Sequence, residues 1–324
     1  VEADPASDMI VLRARIHNIH QAEQVIDWIA APVLPGPQAG DEILAFTGRW
    51  TGEFQLERHG WKAGAYVRES REGRTSHTDF PGLLMPVRGC TEVAGEAYGL
   101  HLGWSGGHRL VAEEMPCGRR QVQLGALVWP AHVIPGDGVY ETPPLYATYS
   151  AEGLNGVSHA YHTYLRDNLL KYTHPERPRP VHYNCWEAVY FDHDLEVLLD
   201  LADRAAALGV ERFVLDDGWF KGRNDDTSSL GDWEIDRVKW PDGLSPLIDH
   251  VNNLGMTFGI WFEPEMINED SDLFRAHPEW AMDVAGPEGR QQRVMDITLP
   301  GVADYLFEKI DAVLAAYPIE YIKW

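Results

Sequence analysis

The apolar run Phe213-Val214-Leu215 passes directly into Asp216-Asp217-Gly218-Trp219-Phe220, and this junction constrains the fold more than any other stretch of the chain. Three bulky apolar residues in succession, without polar alternation, mark a strand covered on both faces. Two charges at its C-terminal end would be very costly if buried unpaired, so they must face solvent or a polar ligand. In parallel α/β folds that end of the strands is where active sites gather. Carboxylate acceptors beside an indole suit a neutral, hydroxyl-rich ligand with an apolar face.

The surrounding sequence supplies the architecture. From about residue 40 to residue 150, short alternating runs such as Gly64-Ala65-Tyr66-Val67-Arg68 and Gln121-Val122-Gln123-Leu124 are broken by Gly and Pro, the pattern of an all-β sandwich. Val157, Tyr161, Tyr164, Leu165 and Leu169 then fall at helical spacing, and the prolines between Pro175 and Pro180 stop that helix. After Pro180 strands and helices alternate, which predicts a parallel sheet with helical crossovers. Strands are expected at Val181–Cys185, Phe213–Leu215, Thr257–Trp261 and Tyr321–Trp324, with helices at Asp194–Leu208, Leu244–Leu254 and Val302–Ala316. The domains expected are an all-β unit at 1–155, a linker helix with a Pro-rich boundary at 156–179, and an α/β unit at 180–324. A (β/α)8 barrel takes about 250 residues, and 145 remain from Pro180. The expectation is therefore the first four β/α units of a barrel, in a sequence truncated at both ends and inactive by itself.

Composition narrows the partners. Fifty acidic residues against 27 basic ones give a net charge of −23, which repels nucleic acid and anionic membranes. No apolar run reaches the length of a membrane span, and the N-terminus lacks the order of a signal peptide. Cys90, Cys117 and Cys185 have no Cys-x-x-Cys spacing, so neither a disulfide framework nor a zinc site is expected, and a reducing, cytoplasmic compartment is the default. His17-Asn18-Ile19-His20 lacks further ligands at metal spacing and reads as structural. No cofactor is expected.

The four strand ends carry one kind of chemistry. Trp186 and Glu187 follow the first, Asp216 and Asp217 the second, Trp261 and Glu263 the third, and Lys323 lies on the fourth. Carboxylates accept charge-assisted bonds from sugar hydroxyls, and indoles pack on the C–H face of a pyranose. The plainer alternatives are helix capping for the acids and core packing for Trp186 and Trp261. A metal-dependent barrel, with Asp216, Glu263 and Asp296 holding Mg²⁺ and stabilising an enolate, is the competing chemistry.

Asn184-Cys185-Trp186-Glu187, Leu215-Asp216-Asp217-Gly218-Trp219-Phe220, Leu230-Gly231-Asp232-Trp233, Trp261-Phe262-Glu263-Pro264-Glu265-Met266, His277-Pro278-Glu279-Trp280 and Tyr321-Ile322-Lys323-Trp324 together resemble the α-galactosidases of glycoside hydrolase family 36. Gly73-Arg74-Thr75-Ser76-His77, and Tyr149-Ser150 ahead of Gly153-Leu154, resemble that family's N-terminal β-supersandwich. The resemblance implies a retaining enzyme with two carboxyl groups about 5 Å apart. It implies that the nucleophilic Asp follows directly after Trp324 and that the acid/base lies further on, so neither catalytic carboxylate is in this sequence. For the residues present it implies substrate binding: Asp216 and Asp217 on the 4- and 6-hydroxyls of galactose, Trp186 and Trp261 as aromatic walls, Arg290 and Lys323 as cationic donors. Arg293, three residues from Arg290, competes for that role. The same resemblance covers α-N-acetylgalactosaminidases and suggests a homotetramer.

Overall fold

The computed structural model describes the chain except residues 31, 76, 129–130, 173, 175 and 284–290. It divides into two compact units, Val1–Pro175 and Glu176–Trp324.

In the first unit an antiparallel sheet of seven strands runs in the order Glu2–Asp4, Met9–Leu12, Leu145–Ser150, Ala97–Leu102, Gly82–Pro86, Glu42–Thr47, Gln55–Gly60. A second sheet holds His108–Glu114, Arg120–Ala126 and Leu34–Pro35. Alternation along these strands puts Leu12, Ile43, Leu83, Leu100 and Leu102 of one sheet against Leu110, Ala112, Val122 and Leu124 of the other, which makes a sandwich. The segment expected to be a linker helix behaves differently. The helix starts earlier, at Gly153, runs to Tyr164 and ends in a wider turn at Leu165–Leu169. Its Leu154 and Val157 are buried against Leu44 and Ala97, so it belongs to the core of this unit. Gly99 makes this possible, since a Cβ there would lie 2.5 Å from Val157.

The second unit is a parallel sheet in the order His182–Asn184, Arg212–Leu215, Thr257–Trp261, Tyr321–Lys323. Strands that neighbour each other in sequence order, without reversal, are those of the first four units of a (β/α)8 barrel rather than of a doubly wound sheet. Phe213, Val214, Leu215, Phe258 and Ile260 are at most 1% exposed, as strands covered on both faces require. Helix Leu195–Ala207 buries Leu198, Ala202 and Ala205 and is capped by Asp194, whose carboxylate accepts from the Val197 N–H at 3.0 Å. It ends at Gly209 (φ 83°), as helix Ser245–Asn253 ends at Gly255 (φ 84°), both in the left-handed conformation that suits glycine. Between the third and fourth strands the chain makes an excursion: hairpin Met266–Asn268/Gln292–Val294, helix Asp272–Ala276 and turn Pro278–Trp280. Helix Val302–Ala316 then leads into the fourth strand.

Candidate active site

The register of the parallel sheet sets Asn184 beside Val214, Leu215 beside Ile260 and Trp261 beside Lys323, so the residues that follow these positions emerge at one end. Asp216, just past the second strand and 3% exposed, is where three strands converge. Its Oδ2 accepts from the Lys323 ammonium at 2.6 Å and from the Asn184 amide at 2.5 Å, while its Oδ1 accepts the Asp217 N–H at 2.8 Å. Asn184 is fixed in turn, because its own Oδ1 accepts the Trp186 N–H at 2.8 Å. Beneath Asp216 lies Cys185, fully buried, whose thiol is pushed up to about 12 by burial and therefore stays neutral.

Asp217 is held by a different partner. Arg223, with no exposed surface, donates to both its oxygens, Nε to Oδ1 at 2.9 Å and Nη2 to Oδ2 at 2.8 Å. The same guanidinium donates to the Ser228 carbonyl at 2.7 Å and to Asn268 Oδ1 at 3.0 Å, and it lies over the rings of Phe191 and Phe220. Such a two-pronged bond fixes the orientation of the carboxylate as well as pairing its charge. Arg223 and Asn268 carry no sequence signal of their own: an arginine in the polar stretch Lys221-Gly222-Arg223-Asn224 reads as solvated. The available signal is indirect, since an acid directed toward the interior demands a counter-charge.

The aromatic residues separate into two groups. Trp186 is partly exposed at the start of a short helix, with Tyr190 and Phe191 edge-on to it at 5.1 and 5.0 Å. Trp261 is only 8% exposed and joins Trp233, Phe220 and Phe262 in the core, with its carbonyl accepting the Trp219 indole N–H at 2.9 Å. Most of its ring is therefore packing. Glu187 is exposed and accepts from the Tyr190 hydroxyl, and Glu263 is partly exposed. Arg290 lies outside the described residues; Arg293 pairs with Glu269 on the hairpin. His193 is buried behind the acid pair, and burial depresses its pKa to about 4.

The metal reading finds no support in this geometry. The Lys323 ammonium and the Asn184 amide already hold Asp216 Oδ2, and Asp296 Oδ1 is spent on its own turn, accepting from Thr298 N at 3.0 Å and Thr298 Oγ1 at 2.6 Å. Among the described residues no group of three or more His, Cys, Asp or Glu could hold a metal. Helix Asp272–Ala276 is capped by Ser271, whose Oγ accepts the Phe274 N–H at 2.9 Å. Among the described residues no helix is long and apolar enough to cross a membrane.

A β-sandwich unit, and a unit of parallel barrel strands with carboxylates, a lysine and indoles at the strand ends, define the class of protein: a β-sandwich domain joined in sequence to the first half of a (β/α)8 barrel. Residues 139–324 match the melibiase family and residues 1–129 match the glycosyl hydrolase family 36 N-terminal domain, so the chain belongs to that melibiase, family 36 lineage. It is similar to the α-galactosidase of Escherichia coli, 47% identical over 98% of this chain and 45% of the relative. Among solved structures, the galactosidase domain of α-galactosidase-sucrose kinase AgaSK superposes with a TM-score of 0.91 at 38% identity, over 98% of this chain and 45% of the other. A variant of AgaA, a family 36 α-galactosidase from Geobacillus stearothermophilus, in complex with raffinose, gives a TM-score of 0.91 at 36% identity over the same shares. The chain thus spans less than half the length of these relatives.

Proposed function

We propose that the whole protein is a retaining α-galactosidase that removes terminal α-galactosyl residues from melibiose- or raffinose-type sugars, and that this chain supplies its galactose-binding half. The observation that carries the reading is Asp216, nearly buried, with one oxygen held between Lys323 and Asn184. Such a carboxylate is pre-oriented to accept from a sugar hydroxyl, and a misplaced hydroxyl would leave it unpaired, which discriminates strongly between epimers. Asp216 and Asp217 take the 4- and 6-hydroxyls, Lys323 and Arg290 donate to sugar hydroxyls, and Trp186 and Trp261 form the walls, Trp186 offering the larger face. The nucleophilic Asp follows Trp324, two residues after Lys323 and so on the same side of the strand, where the ammonium keeps it ionised. It attacks the anomeric carbon while an acid on a later strand protonates the departing oxygen, and water then releases the sugar. Names of relatives and a raffinose-bound neighbour support the substrate class. A homotetrameric, cytoplasmic enzyme completes the proposal; free Cys90, Cys117 and Cys185 suit a reducing compartment.

The test is release of p-nitrophenol from the α-galactoside and the α-N-acetylgalactosaminide by the full-length protein, with and without EDTA, for wild type and Asp216→Ala. Chelator-insensitive turnover of the galactoside that falls by on the order of a hundredfold or more in kcat/KM in the variant is expected. Preference for the N-acetylated substrate, or loss of activity with EDTA, would overturn the proposal.

A further inference from the structure

Lys239 lies in a turn more than 20 residues from the end of the second strand, yet its ammonium reaches both of the connections that build the site. It donates to the carbonyls of Phe191 at 3.1 Å, Gly218 at 2.9 Å and Arg223 at 2.7 Å. An ammonium has three N–H donors, so every one is used, one on the connection after the first strand and two on the connection after the second. Phe191 follows the first strand and is the ring edge-on to Trp186. Gly218 immediately follows the acid pair, and Arg223 is the residue that clamps Asp217.

The turn that presents Lys239 is itself anchored. Asp236 accepts the Val238 N–H at 2.8 Å, its own N–H donates to the Trp219 carbonyl at 3.2 Å, and Lys221 N donates to the Glu234 carbonyl at 2.8 Å. The loops being joined have no slack between them. Gly218 (φ 113°) is so close to its neighbours that a Cβ there would lie 3.1 Å from Phe191 Cα and 3.2 Å from His193 Nε2.

We propose that Lys239 is a positioning residue of the sugar site: its ammonium sets the distance between the Trp186 wall and the Asp216–Asp217 pair. This rests on the galactoside reading above. Arginine is no substitute, because a planar guanidinium directs its donors outward in a fork and cannot meet three converging carbonyls. Glutamine can satisfy two of the three, so it retains more of the fold than methionine does.

The experiment uses the full-length protein with Lys239→Met, Lys239→Arg and Lys239→Gln, measuring kcat and KM on p-nitrophenyl α-galactoside, galactose inhibition and melting temperature. In the variants that fold, KM and the galactose inhibition constant should rise on the order of tenfold, more than kcat falls, and arginine should not rescue them. Variants that melt earlier but keep wild-type KM and galactose inhibition would make Lys239 a purely structural residue and overturn the inference. The Lys239→Gln enzyme decides the matter if the methionine variant fails to fold. A wild-type enzyme inactive on α-galactosides would instead refute the functional reading, and the inference with it.

Discussion

Replacing Arg223 by methionine tests how the acid pair is held. The guanidinium is fully buried and satisfies both oxygens of an Asp217 that is 4% exposed. Removing one partner of such a pair leaves an uncompensated charge in the interior, at about 3–5 kcal/mol. Its other acceptors add little. Asn268 Oδ1 keeps the Leu230 N–H at 3.0 Å, and the carbonyl of the partly exposed Ser228 adds about 1 kcal/mol at most. Arg223→Met should therefore lose about 4–5 kcal/mol near neutral pH. Adding Asp217→Leu should recover most of that loss, since an apolar pair often replaces a buried ion pair without penalty. The single variant also has a pH signature. Deprived of the guanidinium, Asp217 is relieved by taking up a proton, so the folded variant binds more protons than its unfolded state, and its deficit shrinks as pH falls from about 7 to about 5. Urea unfolding followed by the fluorescence of the buried Trp219, Trp233 and Trp240 measures all three quantities. A single variant within about 1 kcal/mol of wild type, or a double variant no more stable than the single, would refute the reasoning.

Two further predictions concern stability. His193 has a folded pKa of about 4 against an ordinary 6.5. The unfolded chain therefore takes up a proton that the folded one refuses, and stability present above pH 6.5 falls as pH drops toward 4, by about 3 kcal/mol in all. His193→Phe should remove that part of the slope; wild-type and variant denaturation midpoints that track each other between those pH values would contradict it. Ser271 is fully buried, donates to the Asn268 carbonyl at 2.8 Å and caps helix Asp272–Ala276. Ser271→Ala should cost about 1–2 kcal/mol and raise amide exchange at Phe274, and unchanged exchange there would count against the cap.

The strands and helices of the second unit were legible because each is written as a period: Phe213–Leu215 as an unbroken apolar run, Leu195–Ala207 as a stripe closed by a glycine. The helix after the sandwich was legible as a helix but not as part of the core, since the pattern shows an apolar face and not which sheet covers it. Asp216 and Lys323 were legible as strand-end residues, but their contact was not, since the third strand lies between theirs. Arg223, Lys239 and Asn268 were not legible as site residues, for a physical reason. They lie in irregular connections whose paths are set by side chain to carbonyl bonds, which leave no repeat in the sequence. Trp261 shows the converse: an indole at a strand end fits ligand stacking and core packing equally well until its neighbours are known.

Both carboxylates at the end of the second strand arrive with a cation attached, Asp216 with Lys323 and Asp217 with Arg223. In a chain of net charge −23 each of these two charges is thus matched on the spot. The field of the remaining surface gathers cations and turns anions away, but an uncharged solute at the pair meets only local dipoles. Added salt screens the long-range field beyond a Debye length of about 8 Å at physiological strength and leaves contacts of hydrogen-bond length intact. Capture of a neutral molecule there is thus indifferent to ionic strength, in dilute buffer and in concentrated salt alike.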